Sequence, residues 1–404
     1  MRSDLIAQVN PDALRHNYRA LRAAAGAAKF CAPLKADAYG HGVRIVAPVL
    51  HEAGADMAAV ATVPEAVELR ATGWTRPILV LGSVLATVDA AERNERLTAI
   101  VQHGLTITVA DEAAVRVVEE RGGAVGNVGS VTRPTGGAAA RASNGRIDAH
   151  IKFDTGMGRM GVMPDGLLPL IQRVRACSSL RLAGIYSHFA MADFDPSQRD
   201  LVQHQQAVFA ESLARAGDFL PPGVIRHLAN SAATITLPEA HYDMVRPGLA
   251  LYGYWPALHM RERIDLRPCL RLVSHLTAVK DLPVGHCVGY GRTFVTKRPT
   301  KLGIVPMGYF DGFLRALSNR AVVTVCGAAA PVVGRVSMDQ MAVDLTDVIG
   351  AAGPINSGCD VTIISDDPAA PNSVQAIATR LGTIPYEVTC LLGQRVERAS
   401  PHHS

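Results

Sequence analysis

From residue 29 to about residue 231 the chain alternates short apolar runs with amphipathic stretches. Apolar runs at 30–34, 57–61, 78–82, 98–101, 107–109, 150–153, 183–187 and 225–229 read as buried strands. Stretches at 64–71, 111–120, 167–176 and 198–216 read as helices. Asp111 is placed as an N-cap and Pro64 as a first-turn proline. Repeated strand–helix units of this number favour a closed parallel α/β barrel, with an open doubly wound sheet as the alternative. After about Tyr254 the texture changes. Runs at 270–280, 301–305, 321–326, 341–345 and 360–364 are rich in β-branched residues and separated by Gly and Pro, with one helical piece at 373–381. This predicts a TIM-like (β/α)8 barrel over residues 1–254 and a mainly-β domain over 255–404. Residues 121–146 are rich in Gly, Ala, Ser and Thr. They read as a mobile loop, with a functional lid as the alternative; between Arg121 and Arg146 its only groups for chemistry are Arg133 and Arg141.

Composition narrows the function. The 404 residues carry 40 basic and 36 acidic side chains, with no basic run and no aromatic–basic interleaving, so nucleic acid is not an expected partner. The seven cysteines are scattered, without Cys-x-x-Cys or zinc spacing, which disfavours a metal site or a disulfide framework. Neither a signal peptide nor a bilayer-spanning run is evident, and cytoplasm is the expected compartment.

The most informative stretch is Ala32-Pro33-Leu34-Lys35-Ala36-Asp37-Ala38-Tyr39-Gly40-His41-Gly42. A lysine alone is most often a solvated surface charge. Lys35, however, closes a buried strand, and the C-terminal ends of parallel strands are where active sites form. A desolvated amine there becomes nucleophilic and can hold an aldehyde as a Schiff base. Asn230-Ser231 at a strand-to-helix junction and Arg246-Pro247-Gly248-Leu249 offer N–H groups and close backbone approach to a phosphate. Asp154-Thr155-Gly156-Met157-Gly158-Arg159 sets a guanidinium beside flexible backbone, suited to a carboxylate. Tyr290, between two glycines, and Tyr309 read as exposed loop aromatics.

Together these motifs, with Gly334-Arg335-Val336, Met338-Asp339-Gln340 and Ile384-Pro385-Tyr386-Glu387, run in one order over nearly the whole chain. In this the chain resembles the alanine racemases, fold-type III enzymes dependent on pyridoxal 5'-phosphate. The resemblance implies a head-to-tail homodimer acting on a small amino acid, D-alanine supply for peptidoglycan, and specific roles. Lys35 would carry the cofactor. Tyr39, Ser231, Gly248, Leu249 and Tyr386 would hold its phosphate, with Asn230 beside it. His188 would lie by the ring, and Arg246 would contact the ring nitrogen. Arg159 and the Met338 N–H would bind the substrate carboxylate, with Tyr309 nearby. Lys152 matches a lysine that is carbamylated in some members. Racemisation needs a base on each face of Cα, here Lys35 and Tyr290, the latter from the partner subunit. A phenol, with a pKa of about 10, must be lowered for that task. Gly289 and Ser337 depart from the serine and cysteine common in the family, and residues 84–95 show no family motif. A racemase of broader specificity (serine or basic amino acids), a cofactor-carrier protein of the same barrel and a decarboxylase are the rival readings.

Overall fold

The computed structural model describes residues 4–83, 85, 89–120, 145–192, 199–348 and 354–401. Most of the 121–146 segment, including Arg133 and Arg141, lies outside the described residues, as do Val84, residues 86–88 and Gln198.

The first strand, β1 (Ile6–Val9), leads into β2 (Lys29–Pro33), β3 (Met57–Val60), β4 (Ile78–Val80), β5 (Thr106–Val109), β6 (Ile147–Lys152), β7 (Leu180–Tyr186), β8 (Ile225–His227) and β9 (Met244–Val245). Strands β2 to β9 form a parallel sheet in the order β8-β7-β6-β5-β4-β3-β2-β9. The ring is drawn together by Asp243 N–H on the Arg226 carbonyl (3.0 Å) and Arg246 N–H on the Ala229 carbonyl (2.9 Å). The Arg226–Asp243 ion pair spans the same seam. The barrel expected from the alternating pattern is therefore present.

Two details differ from the pattern. Residues 98–101, expected as a strand, belong to the helix Ala90–Gln102. Asp89 caps that helix, accepting from the N–H groups of Ala91 and Glu92, and Leu97 and Ile100 form its buried face. The eighth strand is instead β9, two residues long and too short to show a period. Elsewhere the helix starts follow the sequence: Asp111 accepts from Ala114 N–H (2.9 Å), and Pro64 lies in the first turn of Val63–Ala71.

The remaining strands are β10 (Leu270–His275), β11 (Ala278–Leu282), β12 (Cys287–Val288), β13 (Phe294–Val295), β14 (Thr300–Val305), β15 (Val322–Val325), β16 (Ala328–Val333), β17 (Met341–Asp344), β18 (Asp360–Ile364) and β19 (Glu397–Ala399). They build a mainly-β second domain with the order β11-β14-β17-β16-β15-β18-β10-β1-β19 and a separate β12-β13 ribbon. The 270–280 run is two strands, because the chain turns at Leu276–Thr277, where their N–H groups pair with the carbonyls of Cys359 and Ile304. Strand β1 pairs antiparallel with β10 and parallel with β19, so the chain leaves this sheet to build the barrel and then returns to it.

The barrel interior is divided by chemistry. Cys31, Met57, Ala59, Leu79 and Met244 make a small apolar plug. Thr108, His150, Lys152, Tyr186, His227 and Arg246 are also buried. Polar side chains inside a barrel require partners.

Candidate active site

Lys35 lies two positions beyond the last residue of β2, at the C-terminal mouth of the barrel. The turn after it is more unusual than its sequence shows. Ala36, Asp37, Ala38 and Tyr39 all have φ between 51° and 56°, a left-handed turn made of non-glycine residues. This conformation costs roughly 1–2 kcal/mol per residue. The surroundings hold it. Glu65 accepts from Ala36 N–H (2.8 Å), Asp37 accepts from Val43 N–H (2.7 Å), and the His41 ring meets the Tyr39 carbonyl (2.9 Å). The turn leaves the Lys35 amine 5.9 Å from the centre of the Tyr39 ring. Burial, then the Arg159 charge, lowers the Lys35 pKa and so favours the free amine.

Tyr39 is buried, with its ring 5.0 Å from that of Tyr252 and 5.5 Å from that of Tyr386. Tyr386 comes from the second domain, in the short helix Pro385–Cys390. Gly248 adjoins Tyr39 so closely that a Cβ there would lie 2.6 Å from the phenol oxygen. Leu249 and Ser231 complete the group: Ser231 Oγ accepts from Ala250 N–H (3.2 Å), and Asn230 caps the following turn through Ala233 N–H (3.1 Å). Tyr39, Ser231, Gly248, Leu249 and Asn230, distant in sequence, thus come together in a cradle of hydroxyls and close backbone.

Arg246 is buried on the other side. It donates to His227 Nδ1 (2.5 Å), the Ser187 carbonyl (2.8 Å) and His188 Nδ1 (3.4 Å). Arginine can only donate, so those ring nitrogens must be acceptors. His227 then carries its proton on Nε2 and donates to His150 Nδ1 (2.8 Å). Neutral rings are what this wiring requires. Burial, then Arg246, holds His150 at about 3 and His227 well below the ordinary range. Burial, Arg246, Arg159 and the two lysines hold His188 at about 3. His150 and His227 were not singled out in the sequence. The signal for them, histidines within otherwise apolar strand runs, is common in cores.

Arg159 sits on a loop that Asp154 shapes. The Asp154 carboxylate accepts from the N–H groups of Gly156 (2.8 Å), Met157 (2.7 Å) and Arg159 (3.1 Å). Burial works to raise its pKa, and these bonds together lower it. Lys152, within the barrel, is brought down to about 8 by burial, then Arg159 and Arg246. Lys35, Lys152, Arg159 and Arg246 therefore lie near enough for their charges to act on one another. None of the four side chains forms an ion pair among the described residues.

Tyr290, Tyr309 and Met338 lie on the second domain, all exposed; Tyr290 is 72% accessible. Within this chain the Tyr290 side chain forms no hydrogen bond or ring interaction with Lys35, His188 or Arg246. The Met338 N–H has no partner among the described residues. Tyr309 and Met338 are held together by Tyr309 N–H on the Ser337 carbonyl (3.0 Å) and Phe310 N–H on the Met338 carbonyl (3.1 Å). Arg395 ties both loops, bonding Asp311 and Asp339 at 2.8 Å.

The structure is a parallel α/β barrel with a lysine near a strand end amid other cations, joined to a mainly-β domain. The family models for the alanine racemase N-terminal domain and C-terminal domain match residues 9–256 and 269–400. Alanine racemase 2 of Caldanaerobacter subterraneus is 37% identical over 393 residues, covering 97% of this chain and 93% of that protein. Alanine racemase of Methanococcus maripaludis is 35% identical over 400 residues, 98% of each. The crystal structure of alanine racemase from the D-cycloserine producer Streptomyces lavendulae superposes with a TM-score of 0.86 at 33% identity, covering 100% of this chain and 98% of that one. The chain belongs to the alanine racemase family, a family of isomerases.

Proposed function

We propose that this protein interconverts L-alanine and D-alanine with pyridoxal 5'-phosphate, as a homodimer whose sites are shared between subunits. The observation that carries the proposal is that Lys35, Lys152, Arg159 and Arg246 act on one another's charges and form no ion pairs among the described residues. Such a concentration of positive charge in a partly dry site calls for anions of matching charge. A cofactor phosphate and a substrate carboxylate supply them. The residues fit the cofactor: the Tyr39–Gly248 approach leaves no room for a Cβ, and Ser231, Leu249, Asn230 and Tyr386 surround it. Lys35 would hold its aldehyde carbon, His188 would lie by its ring, and Arg246 would donate toward its ring nitrogen.

Bound there, the cofactor would supply an electron sink that acidifies the Cα–H of alanine. The chain supplies the rest. Arg159, with its loop locked by Asp154, grips the carboxylate as a bidentate donor, assisted by the Met338 N–H, with Tyr309 alongside. Lys35, favoured as a free amine by burial and Arg159, exchanges a proton with one face of Cα. Tyr290 of the second subunit serves the opposite face. Its exposure in a single chain, and the apolar surface of Tyr309, Phe310, Met338, Ile384 and Leu391 on the same domain, support a second copy seated there. Arg246 is a permanent donor and does not yield its proton in the cycle. The neutral His227–His150 pair keeps it aligned.

Lys152 at about 8 has a sizeable neutral fraction near neutral pH, the form that captures carbon dioxide; the resulting carbamate would counter the Arg159 charge. The seven cysteines are free thiols, which suits a cytoplasmic enzyme. D-alanine for peptidoglycan is the product we assign. The test is purified protein with pyridoxal phosphate and single L-amino acids, following circular dichroism. Decay of the L-alanine signal to zero, faster than for serine or basic amino acids, is expected. No decay for alanine overturns the proposal, and equal rates favour the broader racemase.

A further inference from the structure

We propose that Gln205 is a positioning residue for substrate binding: it clamps the loop that carries Arg159 to the loop that carries His188. The inference rests on the functional reading above.

Gln205 belongs to the helix Arg199–Ala216, outside the barrel strands, yet its side chain is buried. Its Oε1 accepts from Ala190 N–H (2.9 Å). Its Nε2 donates to Thr155 Oγ1 (3.4 Å) and to the His188 carbonyl (3.5 Å). These partners decide the amide orientation, because a backbone N–H only donates and a carbonyl only accepts. The two ends of one amide thus bracket His188 and reach the loop after β6.

The chain of contacts continues inward. Thr155 Oγ1 bonds Ser187 Oγ (2.9 Å), both side chains being buried. The Ser187 carbonyl accepts from Arg246 (2.8 Å). On the other side, Gly156 lies against the Gln205 side chain, where a Cβ would meet Cγ at 3.4 Å. Gly156 N–H and Arg159 N–H share the Asp154 carboxylate. One amide therefore connects three segments that touch the candidate site: the Arg159 loop, the His188 loop and Arg246.

A buried glutamine with satisfied bonds contributes to stability wherever it sits. The clamp predicts something more specific. With the amide removed, Asp154 and Arg159 keep their own loop, but that loop loses its register against the His188 loop. The carboxylate grip then loosens, while Lys35, on the separate β2 turn, is untouched.

The test compares wild type with Gln205→Leu and Thr155→Val as holoenzymes. Propionate, which has the carboxylate of alanine without its amine, probes the grip. In both variants the KM for alanine and the inhibition constant for propionate are expected to rise together about tenfold, with kcat changed less than about threefold. The double variant is expected to lose less than the product of the single effects, since both substitutions cut one chain. Without turnover, hydrogen exchange read by mass spectrometry is expected to quicken in residues 154–160 and 188–190 and nowhere in 35–43. Unchanged KM, propionate binding and exchange in Gln205→Leu, with only a lower melting point, overturn the inference. Should that variant fail to fold, the same constancy in Thr155→Val overturns it. A wild type that does not racemise alanine removes the functional reading instead, and the exchange experiment still reads the clamp.

Discussion

At the residue scale, the site is a problem of charge. Lys35 and Lys152 are both pushed toward the neutral amine by burial and by neighbouring arginines. For Lys35 the expected consequence is covalent chemistry: Lys35→Ala loses the visible absorbance of a covalently held cofactor. Tyr290→Phe keeps that absorbance and loses turnover by about 10²–10⁴, the usual worth of a positioned acid–base group. Its loss of Cα deuterium exchange should be unequal for the two enantiomers, as measured by NMR; equal loss rules out a base on each face. For Lys152 the sign follows from its pKa of about 8. The neutral fraction rises with pH, so a carbamate signal from labelled bicarbonate in carbon NMR should be strong at pH 8–9, weak near pH 6 and absent in Lys152→Met.

At the element scale, β6, β7 and β8 contribute more than their C-terminal ends. Gly184 of β7 lies beside His150 of β6, and an added Cβ would fall 2.6 Å from the imidazole. That ring is the outer member of the His150–His227–Arg246 series, and Tyr186 stacks on His227 at 4.7 Å. Gly184→Ala must displace the ring or the strand. Its expected cost is about 1–3 kcal/mol, the range for overpacking. Denaturant melts give the stability loss, and assays at permissive temperature should show reduced kcat because Arg246 loses its support. A variant as stable and active as wild type would mean that the histidine pair has slack.

At the scale of the whole molecule, two properties follow from how the parts are joined. The first is subunit sharing. If Lys35 and the partner's Tyr290 form each site, Lys35→Ala and Tyr290→Phe are each inactive, but mixing them restores activity. Random exchange makes half the dimers mixed, with one intact site of two, so recovery approaches about a quarter of wild type. No recovery after verified subunit exchange contradicts the shared site. The second is acid sensitivity. In the unfolded chain each histidine takes a proton near pH 6.5; in the folded protein burial delays this to about 4 for His41 and about 3 for His150 and His188, and His227 is likewise held well below its ordinary range. Unfolding therefore takes up protons between these values. Stability that is complete above pH 6.5 is lost as pH falls through that window. Calorimetry should show the melting point falling steadily from pH 6.5 to 4, and a flat profile would mean that the rings are hydrated.

Local sequence carries most of the barrel's strands and several of its helices, the change to β structure after Tyr254, and the chemically loaded stretches around Lys35, Arg159, Asn230–Ser231 and Arg246. These are local: burial period, turn chemistry and residue type are all written within a few positions. It misassigned 98–101 because four residues of β propensity carry less information than the Asp89 cap and the helical face of Leu97 and Ile100. It did not reveal β9, whose two residues are a strand only because β2 pairs with them. Only the tertiary structure decided that Ile6–Val9 joins the second sheet, that four non-glycine residues after Lys35 turn left-handed, and that Gln205 reaches two loops from a neighbouring helix. Each of these depends at least in part on partners tens to hundreds of residues away. Such partners supply the hydrogen bonds and packing that outweigh local preference, and no short window of sequence contains them.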